Sequence, residues 1–306
     1  MDSLAALPPP AAIEYVAIGS IIIDDIVHPD GRSNMGVLGG GGSHAVAGMR
    51  VWSPRPALVS VIGQGFPEPA WARLTALADT AGVVTRPVPQ PRFWQLFEPD
   101  GTRHEVPRTD FTVFQQIPIR PAEFPPALAS ARGVFLQSPT TAQAAGWIDH
   151  LKALNRAMVV LWEPWEIYYH PENLPGFRQI APRFEIISPQ TVELSRMLGE
   201  TDPDKQADIL LECGVNCFAL RLGAEGSLVG NAAERHFIPA MPAAVVDETG
   251  AGNAYCGGFV VGYVESGGEV RAAGRYGAVS ATFALAQVGV AHLPAEVRAV
   301  AQGRLA

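Results

Sequence analysis

Val246-Asp247-Glu248-Thr249-Gly250-Ala251-Gly252-Asn253-Ala254 is a glycine-rich turn that leads into an apolar, helix-length run. The first turn of a helix leaves its N–H groups unpaired and the helix dipole adds positive potential there, so small residues at such a start let backbone amides converge on an anion. A phosphate fits a nest of this kind. The last polar residue of the turn is an amide, Asn253, which can orient a hydroxyl but cannot accept its proton. A proton acceptor for chemistry at this turn must therefore come from elsewhere in the chain. Asp24, Asp25 and His44, which follows the glycines Gly39–Gly42, are the other candidate bases.

These residues need a scaffold, and the hydrophobic pattern supplies one. Apolar runs bounded by turn residues recur at Tyr15–Ile18, Ala57–Ile62, Gly133–Leu136, Met158–Trp162, Ile186–Ile187 and Cys217–Leu222. The segments Trp71–Ala81, Thr141–Leu154, Gln190–Leu198 and Asp204–Glu212 lie between them and read as helices. The alternation predicts an α/β fold, doubly wound, with a mainly parallel sheet covered by helices on both faces. Arg92–Pro107 breaks this rhythm: it alternates, turns at Pro99-Asp100-Gly101 and continues as Thr102–Val106, which predicts a hairpin. With Val27–Leu38 it would make a small second sheet. Ala254 to Ala286 predicts two packed helices, whose Gly257, Gly258 and Gly262 permit close approach to the sheet. The reading is one α/β domain over residues 13–303, with insertions at about 27–40 and 92–112 and a flexible N-terminus at 1–12.

Composition narrows the ligand class. Across 306 residues, 22 basic side chains against 30 acidic give a net charge of −8, which argues against a nucleic-acid surface. No stretch reaches the roughly 18 apolar residues of a membrane span, and the N-terminal segment lacks the basic flank of a secretory signal. The expectation is a cytoplasmic protein with a small-molecule substrate, no nucleic acid and no membrane. The three cysteines, Cys213, Cys217 and Cys256, suit buried thiols in a reducing compartment better than a disulfide framework or a metal site.

Asp247–Gly252 closely resembles the signature Asp-x-Thr-Gly-Ala-Gly-Asp of the ribokinase-like (pfkB) carbohydrate and nucleoside kinases, matching at Asp247, Thr249, Gly250, Ala251 and Gly252. The family's last aspartate takes the proton from the substrate hydroxyl; here Asn253 stands in its place. The resemblance spans essentially the whole chain and implies a ribokinase-like fold in which the small sheet is a lid over the substrate. It also implies ATP and Mg²⁺, with a monovalent cation as a further option, and a homodimer formed through the lid. Gly250, Ala251 and Gly252 would be the anion hole, with Asp247 and Thr249 on the nucleotide side.

Other segments carry the likeness less fully. Gly19–Asp24 is similar to the family's first strand-end, where an aspartate receives two sugar hydroxyls; Asp25 is the alternative contact, and a solvated turn the structural one. Gly39–Gly48 resembles the Gly-Gly lid hinge, which puts Gly41 and Gly42 at the substrate, but Val46 replaces the usual asparagine and cannot donate. His44 either replaces that contact or belongs to an ordinary helix start. Ser188–Glu193 is similar to Asn-x-x-Glu, whose glutamate places Mg²⁺ through water; Glu193 is kept and Gln190 replaces the asparagine, and an exposed first-turn glutamate is the plain alternative. Arg221–Ser227 is similar to the Thr-x-Gly-x-x-Gly turn at the nucleotide phosphates, keeping Gly223 and Gly226. Arg221, in the threonine's place, either grips a phosphate or fills the nucleotide's space. Trp162-Glu163-Pro164-Trp165-Glu166 with Tyr168 and Tyr169 follows a strand, and its aromatics read as wall and core more than as a stacking platform. With Asn253 and the glycine run it resembles a fungal branch of the family, in which Asn253 would be native.

Three activities fit these residues: an ATP-dependent small-molecule kinase weakened by Asn253; the same cleft turned to an elimination, cyclisation or isomerisation of a specialised metabolite; or a pseudokinase that binds without turnover. The departures Val46, Gln190, Arg221 and Asn253 fall at positions read as ligand-facing while the glycines stay, which favours altered ligand chemistry over decay. For the kinase, Asn253→Asp is expected to raise turnover.

Overall fold

The computed structural model describes residues 12–100 and 103–305. The N-terminal segment read as flexible, residue 12 apart, lies outside the described residues, as do Gly101 and Thr102 of the predicted hairpin turn.

Alternation along the first strand shows why the sheet must be covered twice. In β1 (Tyr15–Ile18), Tyr15 and Ala17 join one buried cluster while Val16 and Ile18 join another, since successive side chains of a strand point to opposite faces. The remaining strands are β2 (Ile22–Val27), β3 (Ser33–Gly39), β4 (Ala57–Gln64), β5 (Asp79–Pro89), β6 (Arg92–Phe97), β7 (Arg103–Pro107), β8 (Gly133–Ser138), β9 (Val159–Pro164), β10 (Ile186–Ile187), β11 (Cys217–Arg221), β12 (Gly226–Asn231) and β13 (Arg235–Pro239). The helices are α1 (Gly41–Arg50), α2 (Glu68–Leu77), α3 (Phe111–Gln116), α4 (Thr141–Leu154), α5 (Leu174–Ile180), α6 (Thr191–Leu198), α7 (Pro203–Glu212), α8 (Ala251–Glu265), α9 (Val270–Leu285) and α10 (Val297–Leu305).

Nine strands form the main sheet in the order β13-β12-β11-β10-β9-β8-β1-β4-β5, parallel from β11 to β5 and antiparallel at β12 and β13. The cluster on one face takes in α1, α8 and α9, and that on the other takes in α4 to α7. The small sheet has the order β3-β2-β6-β7. It begins earlier than the sequence suggested, because Ile22–Val27 is a strand in it, pairing antiparallel with β3 and parallel with β6. Among the described residues no helix is long and apolar enough to cross a membrane.

Two expectations need correction. The helix predicted over Trp71–Ala81 runs from Glu68 to Leu77, because β5 begins at Asp79 and pairs with β4, with Ala57 opposite Asp79. The glycines of α8 serve contacts between helices, not contacts with the sheet. A Cβ on Gly257 would collide with the Ala45 carbonyl oxygen of α1, and one on Gly258 or Gly262 would collide with Ser280 or Tyr276 of α9. The N-terminus of α8 lies at the carboxyl ends of β9 and β11, the edge at which doubly wound sheets bind ligands.

Because the atom facing Gly257 is backbone and cannot swing away, Gly257→Val should destabilise the fold by about 3 kcal/mol or more, the upper end for overpacking. Chemical denaturation reads this directly. A change below about 0.5 kcal/mol, the level of a neutral surface substitution, would show that α1 and α8 are not in contact there.

Candidate active site

A cleft of about 740 Å³ opens along this edge, within the roughly 300–1,000 Å³ usual for small-molecule sites. One end lies under the small sheet, the middle under the first turn of α8, and the far end between the Gly223–Gly226 turn and α9.

The pleat of β2 decides what the small sheet offers. Asp24 and Asp25 are adjacent in a strand and therefore point to opposite faces. Asp24 lines the cleft, is almost fully buried and accepts a hydrogen bond from Gln95 Nε2 at 3.0 Å. Burial pushes its carboxyl up to about 7, with the Gln95 bond working against the rise. Asp25 is not on the cleft wall. It accepts from Arg92 at 2.9 and 3.0 Å, from Arg108 and from the Gly36 amide at 2.8 Å. Burial alone would raise its carboxyl, but the bonds from Arg92, Gly36 and Arg108 carry it below the usual range. Asp25 thus ties the strands of the small sheet together and is removed as a ligand contact. Gln95 Nε2 also donates to Glu105 at 3.0 Å, so one amide links two carboxylates under the sheet, while its Oε1 has no partner.

Gly41 lines the cleft and lies against the Gln137 side chain. Gly42 does not line it; a Cβ there would strike the backbone of Gly19, so its role is the close approach of α1 to the chain leaving β1. Val46 is likewise a core residue inside α1 and not a ligand-facing one. His44 does reach the cleft wall, buried, with neither ring nitrogen hydrogen-bonded. Burial pulls its imidazole down to about 4, Asp247 opposing weakly, so the ring is neutral near pH 7. Gly250 makes room for it, because a Cβ at that position would enter the imidazole.

The phosphate end is built on the start of α8. Gly250 has φ 76°, a left-handed conformation that favours glycine, and turns the chain into the helix. Asp247 is set back from the cleft: its carboxylate accepts the Thr249 amide at 2.9 Å and the Gly289 amide at 3.3 Å, and so fixes the turn instead of facing the nucleotide side. Gly250, Ala251 and Gly252 all line the cleft, although the Ala251 amide already donates to Glu248 O at 3.2 Å. Thr249 lines it too, with its buried hydroxyl lacking a partner.

Arg221, at the end of β11, lies against Gly252, and a Cβ on that glycine would meet its Nη1. The guanidinium is paired with Glu163 Oε1 at 2.6 Å and donates to Ser188 O at 3.2 Å. Burial would lower its pKa, but Glu163, together with Cys256, Glu193 and Tyr169, more than reverses this and holds it above its usual value. Glu163 sits near the end of β9, and its Oε2 accepts from Asn253 Nδ2 at 2.7 Å. Glu193, half-buried in the first turn of α6, also lines the cleft; burial pushes its carboxyl up to about 7, with Arg221 pulling the other way. Gly223 and Gly226 line the far end with Met241, Val245 and Leu285, an apolar slot beyond the phosphate region.

Among the described residues no three His, Cys, Asp or Glu side chains are grouped to hold a metal. Mg²⁺ does not require such a cage, because it keeps several waters and takes one or two carboxylates together with substrate phosphates. Glu193 meets that requirement.

Sequence reasoning placed the segment holding Glu163 at the carboxyl edge of the sheet, where such sheets hold ligands, without naming that carboxylate as a site residue. Gln95, Glu105 and Gln137 also face the cleft and were not singled out for it. Of the aromatics beside Glu163, Trp162, Tyr168 and Tyr169 are core, while Trp165 lines the cleft.

Arg221→Met would leave the Glu163 carboxylate buried without its cation and should cost about 3–5 kcal/mol. Adding Glu163→Met should return most of that loss. If denaturation shows the double variant as unstable as the single one, the two side chains are not coupled.

Comparison with known proteins places this geometry in context. Residues 148–297 match the model of the pfkB family of carbohydrate kinases. A cytidine kinase of Thermococcus kodakarensis is 29% identical over 258 residues, covering 82% of this chain and 88% of that protein. An uncharacterized protein of Schizosaccharomyces pombe is 26% identical, covering 95% of this chain and 88% of its own. The structure of Arabidopsis thaliana ribokinase complexed with ribose and ATP superposes with a TM-score of 0.71 at 19% identity, covering 96% of this chain and 99% of that one.

Proposed function

The chain belongs to the pfkB-like carbohydrate and nucleoside kinase family, and from that premise we propose that it transfers the terminal phosphoryl group of ATP to a hydroxyl of a sugar, nucleoside or related polyol in the cytoplasm. The observation that carries this reading is the continuity of the cleft. Asp24 and Gly250–Gly252 line one cavity, so an acceptor and a triphosphate can meet there. That shared cavity also favours transfer over holding a single ligand without turnover.

Asp24 suits a pair of vicinal hydroxyls, because a carboxylate accepts two donors side by side. Donors from the ligand stabilise the charged form and offset the burial that raises its pKa. At the start of α8 the backbone amides and the helix dipole favour the transferred phosphoryl group, and the Arg221 guanidinium beside Gly252 adds a full positive charge. The slot bounded by Met241, Val245 and Leu285 is apolar enough for the flat face of a nucleotide base. Mg²⁺ brought in with the triphosphate would lie at Glu193 and would neutralise charge between the phosphates. Asn253 orients the acceptor hydroxyl. Loss of a base at that position lowers the rate by about 10²–10⁴ without abolishing it, because phosphoryl transfer is mainly positioning and electrostatics.

Two measurements test the proposal together. Mg-ATP should raise the melting temperature, since a ligand that binds only the folded state stabilises it. ADP should form only when an acceptor from a panel of sugars and nucleosides is added. Asp24→Asn should keep the stabilisation by ATP and lower kcat/KM for the acceptor by about 100-fold, the scale of losing hydrogen bonds to a charged group. Absence of both stabilisation by Mg-ATP and acceptor-dependent ADP formation would refute the proposal.

A further inference from the structure

The carboxylate absent from position 253 of α8 is present in the cleft, carried by a strand instead. Glu163 reaches the wall from the end of β9 with its side chain 4% exposed. Two positions at which the chain departs from the family signature, 221 and 253, both direct their polar groups at this one side chain. Arg221 Nη1 lies 2.6 Å from Oε1, and Asn253 Nδ2 lies 2.7 Å from Oε2. A threonine and an aspartate there would do neither, since a hydroxyl carries no charge for the pair and a second carboxylate would repel the first.

Resting on the kinase reading, we infer that Glu163 is the general base of this site and that Asn253 is the amide that positions both Glu163 and the acceptor. Each carboxylate oxygen has room for a second donor beyond the one it already accepts. With one Nδ2 hydrogen committed to Glu163, Asn253 presents the other to the oxygen of a substrate hydroxyl, whose own proton is then free to point to the carboxylate directly or through one bridging water. In the reaction the hydroxyl oxygen forms its bond to the γ-phosphorus, the bond from that phosphorus to the bridging oxygen of ADP breaks, and the hydroxyl proton passes to Glu163. The proton leaves to water when products depart. Arg221 stays paired with Glu163 and remains at Gly252, beside the phosphoryl group that is moving.

This reverses the expectation drawn from the signature alone. Asn253→Asp, with Glu163 in place, sets two carboxylates against each other and should not raise kcat.

The test is steady-state kinetics of the full chain with Mg-ATP and its best acceptor, with the melting temperature of every variant recorded. Glu163→Gln should lower kcat by about 100-fold or more while the KM for ATP stays within about threefold. Glu163→Gln combined with Asn253→Asp returns the carboxylate to the other side of the same contact, and should recover about tenfold or more of the lost kcat. Glu163→Asp keeps the charge and the Arg221 pair but shortens the reach, and should lower kcat by about tenfold; it carries the test if Glu163→Gln does not fold. Three results would overturn the inference: Glu163→Gln within about twofold of the unmodified chain, a combined variant no faster than Glu163→Gln, or Asn253→Asp alone raising kcat about tenfold. Absence of acceptor-dependent ADP from the unmodified chain would instead overturn the kinase reading, and the inference with it.

Discussion

Glu163 is a buried carboxylate, and the cleft is arranged around the need to satisfy it. Taking such a charge out of water costs several kcal/mol, and only a close cation with additional hydrogen bonds offsets that. Arg221 and Asn253 supply both. The guanidinium can reach Glu163 only because Gly252 has no side chain, and the imidazole of His44 fits beneath the turn only because Gly250 has none. The glycines at the head of α8 are thus the spaces into which two side chains pack. Packing and electrostatics at the head of α8 form one arrangement, held from behind by Asp247 on the amides of Thr249 and Gly289.

A second constraint comes from the period of a strand. Asp24 and Asp25 differ by one residue, and the pleat sends one to the cleft and the other to Arg92 and Arg108. Their carboxyls accordingly shift in opposite directions, up to about 7 for Asp24 and below the usual range for Asp25. One lines the cleft, the other braces the sheet that presents it.

Much of this was legible in the sequence, and the exceptions have physical causes. Tyr15–Ile18, Ile186–Ile187 and Thr141–Leu154 were read with their observed ends, because burial on both faces or a capping Thr140 marks them locally. The turn Asp247–Gly252 was legible because a left-handed residue followed by a helix start demands glycine and small residues. β2 was missed because Ile22–Val27 looks like an apolar run ending in an acidic turn, and only its partners β3 and β6 make it a strand. The orientation of Asp24 against Asp25 depended on that same pairing. Val46 was misread for the complementary reason: it matched a ligand position in the family pattern, whereas α1 turns it into the core. The contact between Glu163 and Asn253 joins residues 90 apart, and no local pattern encodes it.

The central claim is that the start of α8, with Arg221 and Glu163 in their observed pairing, receives the transferred phosphoryl group beside a hydroxyl held at Asn253. A crystal structure with Mg²⁺, a non-hydrolysable ATP analogue and an acceptor tests this most directly. The account predicts the terminal phosphate within hydrogen-bonding distance of the Gly250 or Gly252 amide and of Arg221, with the acceptor hydroxyl at Asn253 and Glu163 still facing it. A triphosphate bound elsewhere, or excluded from the α8 turn by the Arg221 side chain, would contradict it.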